Sequence, residues 1–198
     1  MTAGGASGEN VLDMLFRGAR THRKWLPEPV ENERLVALYE LMKWGPTSFN
    51  SFPVRIAFIV TAAAKQRLVP HLIESNRPKA AAAPVVAIIA YDTRFYDWLP
   101  RLFPGRELRS GFVDKPQIAE TSALRNSSLQ GGYLILAARA LGLDCGPMSG
   151  FDNEAVDREF FPDGQVKSNF LCAIGHGDRS ALHERLPRPA FGEVCSIV

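Results

Sequence analysis

Residues 84 to 91, PVVAIIAY, leave the chain the fewest choices. The stretch is β-branched and apolar without alternation, so both of its faces must be covered, which predicts a central strand buried on two sides. Helices are predicted around it. One runs from Asn10, as N-cap, through Val11, Leu12, Leu15, Phe16 and Ala19. A second spans Glu31 to Trp44, with Leu35, Leu38, Tyr39 and Met42 on one face and Gly45-Pro46 as its stop. A third covers Ala62 to Ser75, with Leu68, Leu72 and Ile73 inward. Arg55–Thr61 and Asn169–Gly175 read as strands, and Asp152 caps a short helix that reaches Phe161. Gln117–Leu141 predicts a long helix whose inner part, GGYLILAARALG, is apolar almost all round; such a helix needs a central position or a partner chain. Helices and strands do not alternate as βαβ units do, so the fold class is α+β, a sheet flanked by helices.

With 198 residues the chain suits a single domain, residues 1–198, burying about 70% of its unfolded surface. Residues 1–9 are expected to be flexible. Residues 92–116 mix aromatics, prolines and arginines with weak periodicity, which predicts a lid or substrate loop. Residues 182–198 are broken by prolines and end in apolar residues, a tail expected to dock on something. LDCGPMSGF, residues 143 to 151, reads as a tight turn whose glycines let its backbone approach a flat ligand. A net charge of +2 with scattered arginines argues against nucleic acid as a partner. Three cysteines without CxxC spacing argue against a disulfide framework or structural zinc. MTAGGASGEN lacks the features of a signal peptide, and the longest apolar run is too short for a bilayer, so a soluble cytoplasmic protein is expected.

The sequence also lacks familiar catalytic signatures. In GPMSG, Ser149 lies three residues after Gly146, whereas a nucleophile elbow needs two. GHGDRS lacks the third glycine of a dinucleotide fingerprint, and no P-loop is present. The four histidines form no HExxH or carboxylate pairing, so no metal is expected and each histidine reads as a surface or supporting group. A bound organic cofactor would then carry the chemistry.

Four segments suit such a cofactor. Arg20, Thr21 and Arg23 offer guanidinium forks and a hydroxyl to a phosphate, and Arg185 and Arg188 could close on the same anion. WGPTSFNSFP, residues 44 to 53, gathers turn residues between a helix stop and a strand. Asn76 and Lys79 stand before the central strand, placed to meet the carbonyl edge of a ring. In the fourth segment the amides of Ser149 and Gly150 are left to donate.

In this order and with these separations, the four segments resemble the flavin-dependent nitroreductase superfamily, from about Val11 to Val194. The likeness in ARTHRKW, LMKWGPTSFNS, RNSSLQGGYL and LGLDCGPMSGFD is closest to the branch that holds the malonic semialdehyde reductases (3-hydroxypropionate dehydrogenases) of pyrimidine breakdown. The resemblance implies a nitroreductase-like fold with a central, mainly antiparallel sheet and an intertwined homodimer. It implies FMN held without covalent attachment at the dimer interface, NAD(P)H as hydride donor and ping-pong transfer through flavin N5.

By position, Arg20, Thr21, Arg23 and Arg185 match the phosphate and ribityl contacts, and Pro46, Thr47, Ser48 and Asn50 match a loop that reaches the flavin of the other subunit. Asn76 and Lys79 match the pair at the pyrimidine edge, where Lys79 would stabilise developing charge. Pro147, Met148, Ser149 and Gly150 match the segment facing N5, with the Ser149 amide aimed at it. Ala19 stands where many members carry a base, and Ser149 replaces an acid common in the nitroreductases proper. For malonic semialdehyde, a lid arginine would take the substrate carboxylate. Among Arg94, Arg101, Arg106 and Arg109, the expectation falls on Arg109, beside Phe112 as a cover for the ring. A broad nitroaromatic or quinone reductase, or a flavin-binding protein without turnover, are the alternatives.

Overall fold

The structure, a computed structural model, describes residues 8–198, so most of the stretch expected to be flexible lies outside the described residues. Gly8 and Glu9 already belong to a helix, α1 (Gly8–Leu12), which passes into a wider turn over Asp13–Arg17. Asn10 therefore lies inside α1 and does not cap it. Along the chain follow α2 (Asn32–Met42), β1 (Val54–Ile59), α3 (Ala62–Leu68), α4 (Arg77–Ala82), β2 (Val85–Asp92), α5 (Leu99–Leu102) and α6 (Pro116–Ala140). They are succeeded by β3 (Asp144–Met148), α7 (Asn153–Phe160), β4 (Val166–Gly175) and α8 (Phe191–Val194).

The strands form one sheet in the order β1-β2-β4-β3, with antiparallel neighbours throughout. All eight residues of β2 are buried, as its unalternating apolar sequence requires. Val85, Ala87 and Ile89 face α2 and α6, where Leu38, Met42 and Leu134 pack; Val86 and Ile88 face Leu68, Ala80 and Val156 on α3, α4 and α7. Each fully buried valine or isoleucine contributes about 1.5–3 kcal/mol, which makes β2 the centre of the domain. Gly131 lets α6 lie against the sheet: a Cβ there would stand 2.4 Å from the Phe170 ring.

Three further sequence expectations change. The stretch 143–151 contains strand β3, because a proline is tolerated at a sheet edge, where its missing N–H interrupts no ladder. The helix from Ala62 stops at Leu68, short of Pro70, and Ile73 is half exposed rather than inward. Tyr39 is 40% exposed, while Leu35, Leu38 and Met42 are buried. His22 is 3% exposed, which fits the supporting alternative of its sequence reading.

Residues 92–116 hold short helical turns. Phe95 and Leu99 anchor them in a separate apolar cluster with Tyr91, Ala119 and Ala123. Trp98 is held between two cations, with the Arg55 guanidinium 4.6 Å and the Arg101 guanidinium 4.5 Å from its ring centre. The tail lies open: Leu186, Phe191, Val194 and Ile197 are all more than half exposed. An open groove of about 760 Å³ runs along α6, lined by Leu129, Gly132, Tyr133, Ile135 and Leu136 between Arg125 and Arg139. No helix among the described residues is long and apolar enough to cross a membrane.

Candidate functional site

Thr21 is bridged to Cys145 on edge strand β3, and the His22 amide donates to the Cys145 carbonyl at 3.0 Å. A bridged, extended segment alternates its side chains, so Thr21 and Arg23 share one side while Arg20 and His22 share the other. His22 turns inward, with Nε2 3.4 Å from Asp144 Oδ1. Asp144 in turn accepts the Gly177 amide through Oδ2 at 3.0 Å. The fit is close enough that a Cβ on Gly146 would stand 2.5 Å from the His22 carbonyl oxygen.

Beyond β3 the chain meets the start of α4. The Gly150 carbonyl accepts from the Ile73 amide at 3.1 Å and from Asn76 Nδ2 at 3.1 Å, and Lys79 Nζ donates to Asn76 Oδ1 at 2.8 Å. Partial burial, and then the Arg23 guanidinium nearby, hold the Lys79 ammonium pKa below its ordinary value. Neither Lys79 nor Arg23 makes an ion pair with a carboxylate of the described residues. The amides of Ser149 and Gly150 donate to no described residue, and Pro147 has no N–H. Two cations and two main-chain donors therefore converge with no anion among the described residues to occupy them. That donor set suits a planar, electron-rich ring edge.

The distal cations assemble on the other side of the same segment. Arg20, Arg179 and Arg185 line a cavity of about 220 Å³ with Gly18, His22 and Asp144. Arg185 Nη2 donates to the Arg17 carbonyl at 2.7 Å and the Ala19 carbonyl at 3.0 Å, and Arg20 donates to the His183 carbonyl. Arg20 and Arg185 are thus brought together as their sequence suggested. Among the described residues Arg188 hydrogen-bonds only to the carbonyls of Leu186 and Pro187.

Pro46, Thr47, Ser48 and Asn50 lie elsewhere. Their loop leads into β1, at the opposite edge of the sheet from β3, and three strand spacings separate those edges by about 14 Å. Thr47 Oγ1 accepts the Phe52 amide at 3.3 Å, and Asn50 Nδ2 donates to the Leu102 carbonyl at 2.9 Å, tying the loop to α5. Phe49, Asn50 and Phe52 have φ of 53°, 51° and 45°. Left-handed backbone at a non-glycine residue costs about 1–2 kcal/mol each, so the surroundings must impose this conformation.

Asp97 binds two arginines of the 92–116 stretch, Arg94 at 2.8 Å and Arg109 Nε at 2.7 Å. Burial pushes the Asp97 carboxyl up, but hydrogen bonds from Arg109 and Arg94 outweigh it and hold the pKa below the usual range. Phe112 stacks on Tyr96 and meets Phe95 edge-on at 5.1 Å, so one of its faces is already engaged within the 92–116 stretch. Among the described residues no three His, Cys, Asp or Glu side chains converge as metal ligands would.

Several residues of this arrangement escaped the sequence reading. His22, Asp144 and Arg179 line the arginine cavity, Asp97 orients Arg109, and Asn126 and Gln130 support the 46–53 loop. The only signal for the last two was their place in RNSSLQGGYL, where they stand four residues apart on one helical face.

The sequence profile of the nitroreductase family matches residues 16–177. A protein of Rhodopseudomonas palustris (strain TIE-1), provisionally named NADH dehydrogenase/NAD(P)H nitroreductase, is 56% identical over 187 residues, 94% of this chain and 95% of the relative. A similarly named protein of Ralstonia nicotianae is 52% identical over 189 residues, 96% of this chain and 97% of that one. Among solved structures, a provisionally named nitroreductase of Exiguobacterium sibiricum in complex with FMN superposes with a TM-score of 0.84 at 19% identity, covering 100% of both chains. The nitroreductase ydfN of Bacillus subtilis, also provisionally named, gives 0.82 at 24% identity, covering 93% of this chain and 97% of that one.

Proposed function

Because the chain belongs to the nitroreductase family, we propose that it is an FMN-dependent NAD(P)H oxidoreductase whose site is completed by a second copy of the chain. The convergence of Lys79, Arg23, Asn76 and the open amides of Ser149 and Gly150 carries this reading. When bound, FMN would supply the hydride relay between the nicotinamide and the second substrate. Lys79 places positive charge where reduction puts negative charge, Asn76 fixes the Lys79 ammonium, and the Ser149 amide orients the ring. Arg20, Arg179 and Arg185 would hold the phosphate arm, with Thr21 and Arg23 on the ring side of the segment.

Pro46, Thr47, Ser48 and Asn50 are separated by the width of the sheet from Ser149 of their own chain. They would therefore serve the site of the second copy. The groove on α6 and the exposed apolar tail supply a surface for that pairing. The protein would act in the cytoplasm on small molecules.

For the substrate we propose malonic semialdehyde, reduced to 3-hydroxypropionate in pyrimidine breakdown. Arg109 supports this choice, because Asp97 fixes its Nε while its two Nη groups have no acceptor among the described residues. A guanidinium oriented in this way is suited to a carboxylate. The names of the relatives favour a second reading, a broad nitroaromatic or quinone reductase.

NADPH consumption with malonic semialdehyde against a nitrofuran separates the two. The first reading expects a higher kcat/KM for the aldehyde, and a strong preference for the nitro compound overturns it. Arg109→Ala should raise KM for the carboxylated aldehyde about ten-fold, the loss of one charge-assisted hydrogen bond, while sparing neutral acceptors. Equal effects on both would remove Arg109 from that role.

A further inference from the structure

The 46–53 loop adopts a conformation its own residues disfavour, yet no glycine or intraloop ion pair accounts for it. Besides the Thr47–Phe52 and Asn50–Leu102 bonds, what holds it comes from α6. Asn126 and Gln130, 3% and 0% exposed, stand one helical turn apart beneath the loop. Asn126 Oδ1 accepts the Ser48 amide at 2.8 Å, while its Nδ2 donates to the Ser122 carbonyl at 2.9 Å and so fixes the orientation of the amide group. Gln130 Oε1 accepts the Val54 amide at 3.1 Å, where the loop enters β1. These two bonds bracket the left-handed residues Phe49, Asn50 and Phe52, leaving the segment between them little room to relax. Two buried polar atoms under the loop, Ser51 Oγ and Gln130 Nε2, have no partner among the described residues. The clamp is therefore made through the two acceptor oxygens.

We propose that Asn126 and Gln130 are positioning residues: a buried pair of side-chain amides that fixes the 46–53 loop in its left-handed form, so that Thr47, Ser48 and Asn50 keep the arrangement in which they meet FMN. The inference rests on the flavin reading for its consequence, but not for its geometry. The loop also carries the lid with it, since Asn50 is bonded to the Leu102 carbonyl and Phe49 packs edge-on against Phe103 at 6.1 Å. The same two acceptors on α6 therefore set the position of both.

Amide hydrogen exchange on the full chain, with and without FMN, tests the geometry directly. The Ser48 and Val54 amides should exchange as slowly as amides inside the sheet, even without flavin; exchange at the rate of unprotected loop amides overturns the clamp. Asn126→Ala should speed exchange at Ser48 about ten-fold or more and raise the Kd for FMN, measured by titration, about ten-fold. Adding Phe49→Gly to that variant should restore FMN affinity to within about three-fold of the parent, because glycine adopts the left-handed conformation without strain.

A role in packing alone predicts the opposite, since glycine would deepen the loss by removing the Phe49 ring. Unchanged exchange and unchanged FMN affinity in a folded Asn126→Ala protein would also overturn the proposal. If the parent takes up no FMN, the flavin reading fails, and exchange at Ser48 and Val54 still decides the clamp.

Discussion

Gly146→Ala should weaken FMN binding by about a hundred-fold and lower stability by about 1–3 kcal/mol, the usual cost of overpacking. The added Cβ would stand 2.5 Å from the His22 carbonyl oxygen. A backbone atom cannot swing aside as a side-chain tip can, so relief requires the segment carrying Thr21 and Arg23 to lift from β3. That movement breaks the Thr21–Cys145 bridge and the bond from the His22 amide to the Cys145 carbonyl. It would also shift Arg23 away from Lys79 and Arg20 away from the arginine cavity. Flavin titration together with thermal unfolding measures both effects. Gly111→Ala serves as control, because nothing lies within 4 Å of a Cβ there, and it should leave stability near that of the parent. Parent-like FMN affinity in Gly146→Ala would show that the segment does not hold the cofactor.

Lys79→Ala should slow reduction of the bound flavin by about a hundred-fold or more, while FMN affinity falls less than ten-fold. The asymmetry follows from where the charge acts. The phosphate arm would have its own cations in Arg20, Arg179 and Arg185, so most of the binding should survive without Lys79. Reduction of a bound flavin would put negative charge at the ring edge, where Lys79 and Arg23 are cations with no carboxylate partner among the described residues. Burial and Arg23 already disfavour the Lys79 ammonium, so negative charge arriving beside it relieves that penalty. Stopped-flow reduction by NADPH, set beside equilibrium titration of FMN, separates the two effects. A variant that loses affinity and reduction rate equally would make Lys79 a binding residue only.

The parts of the fold legible in the sequence were those where one local signal dominates. PVVAIIAY is apolar on both faces and became the buried strand β2; Asp152 was read as a cap, and its carboxylate accepts the Ala155 amide at 3.0 Å. LDCGPMSGF misled because glycine and proline signal turns, whereas Pro147 occupies the sheet edge and Gly146 serves a close backbone approach. Both reasons depend on neighbours distant in sequence. Pro70 was visible and did end the predicted helix early, against an apolar spacing that continued past it.

In the site, Asn76, Lys79, Ser149 and Gly150 come together, and Arg20 joins Arg185. The attachment of Arg109 to Asp97 was not legible, because ion pairing across twelve residues of irregular chain leaves no periodic trace. The left-handed backbone at Phe49 and Phe52 was hidden for a different reason: phenylalanine has no preference for that region, and its cause lies in Asn126 and Gln130 on another element.

A flavin site shared between two copies of this chain is tested most directly by sedimentation of the purified protein, followed at a flavin absorbance wavelength. The expected result is a yellow species of two chains carrying one FMN per chain, with free flavin absent from that boundary. A colourless protein that takes up no FMN, or FMN sedimenting with a single chain, would contradict it.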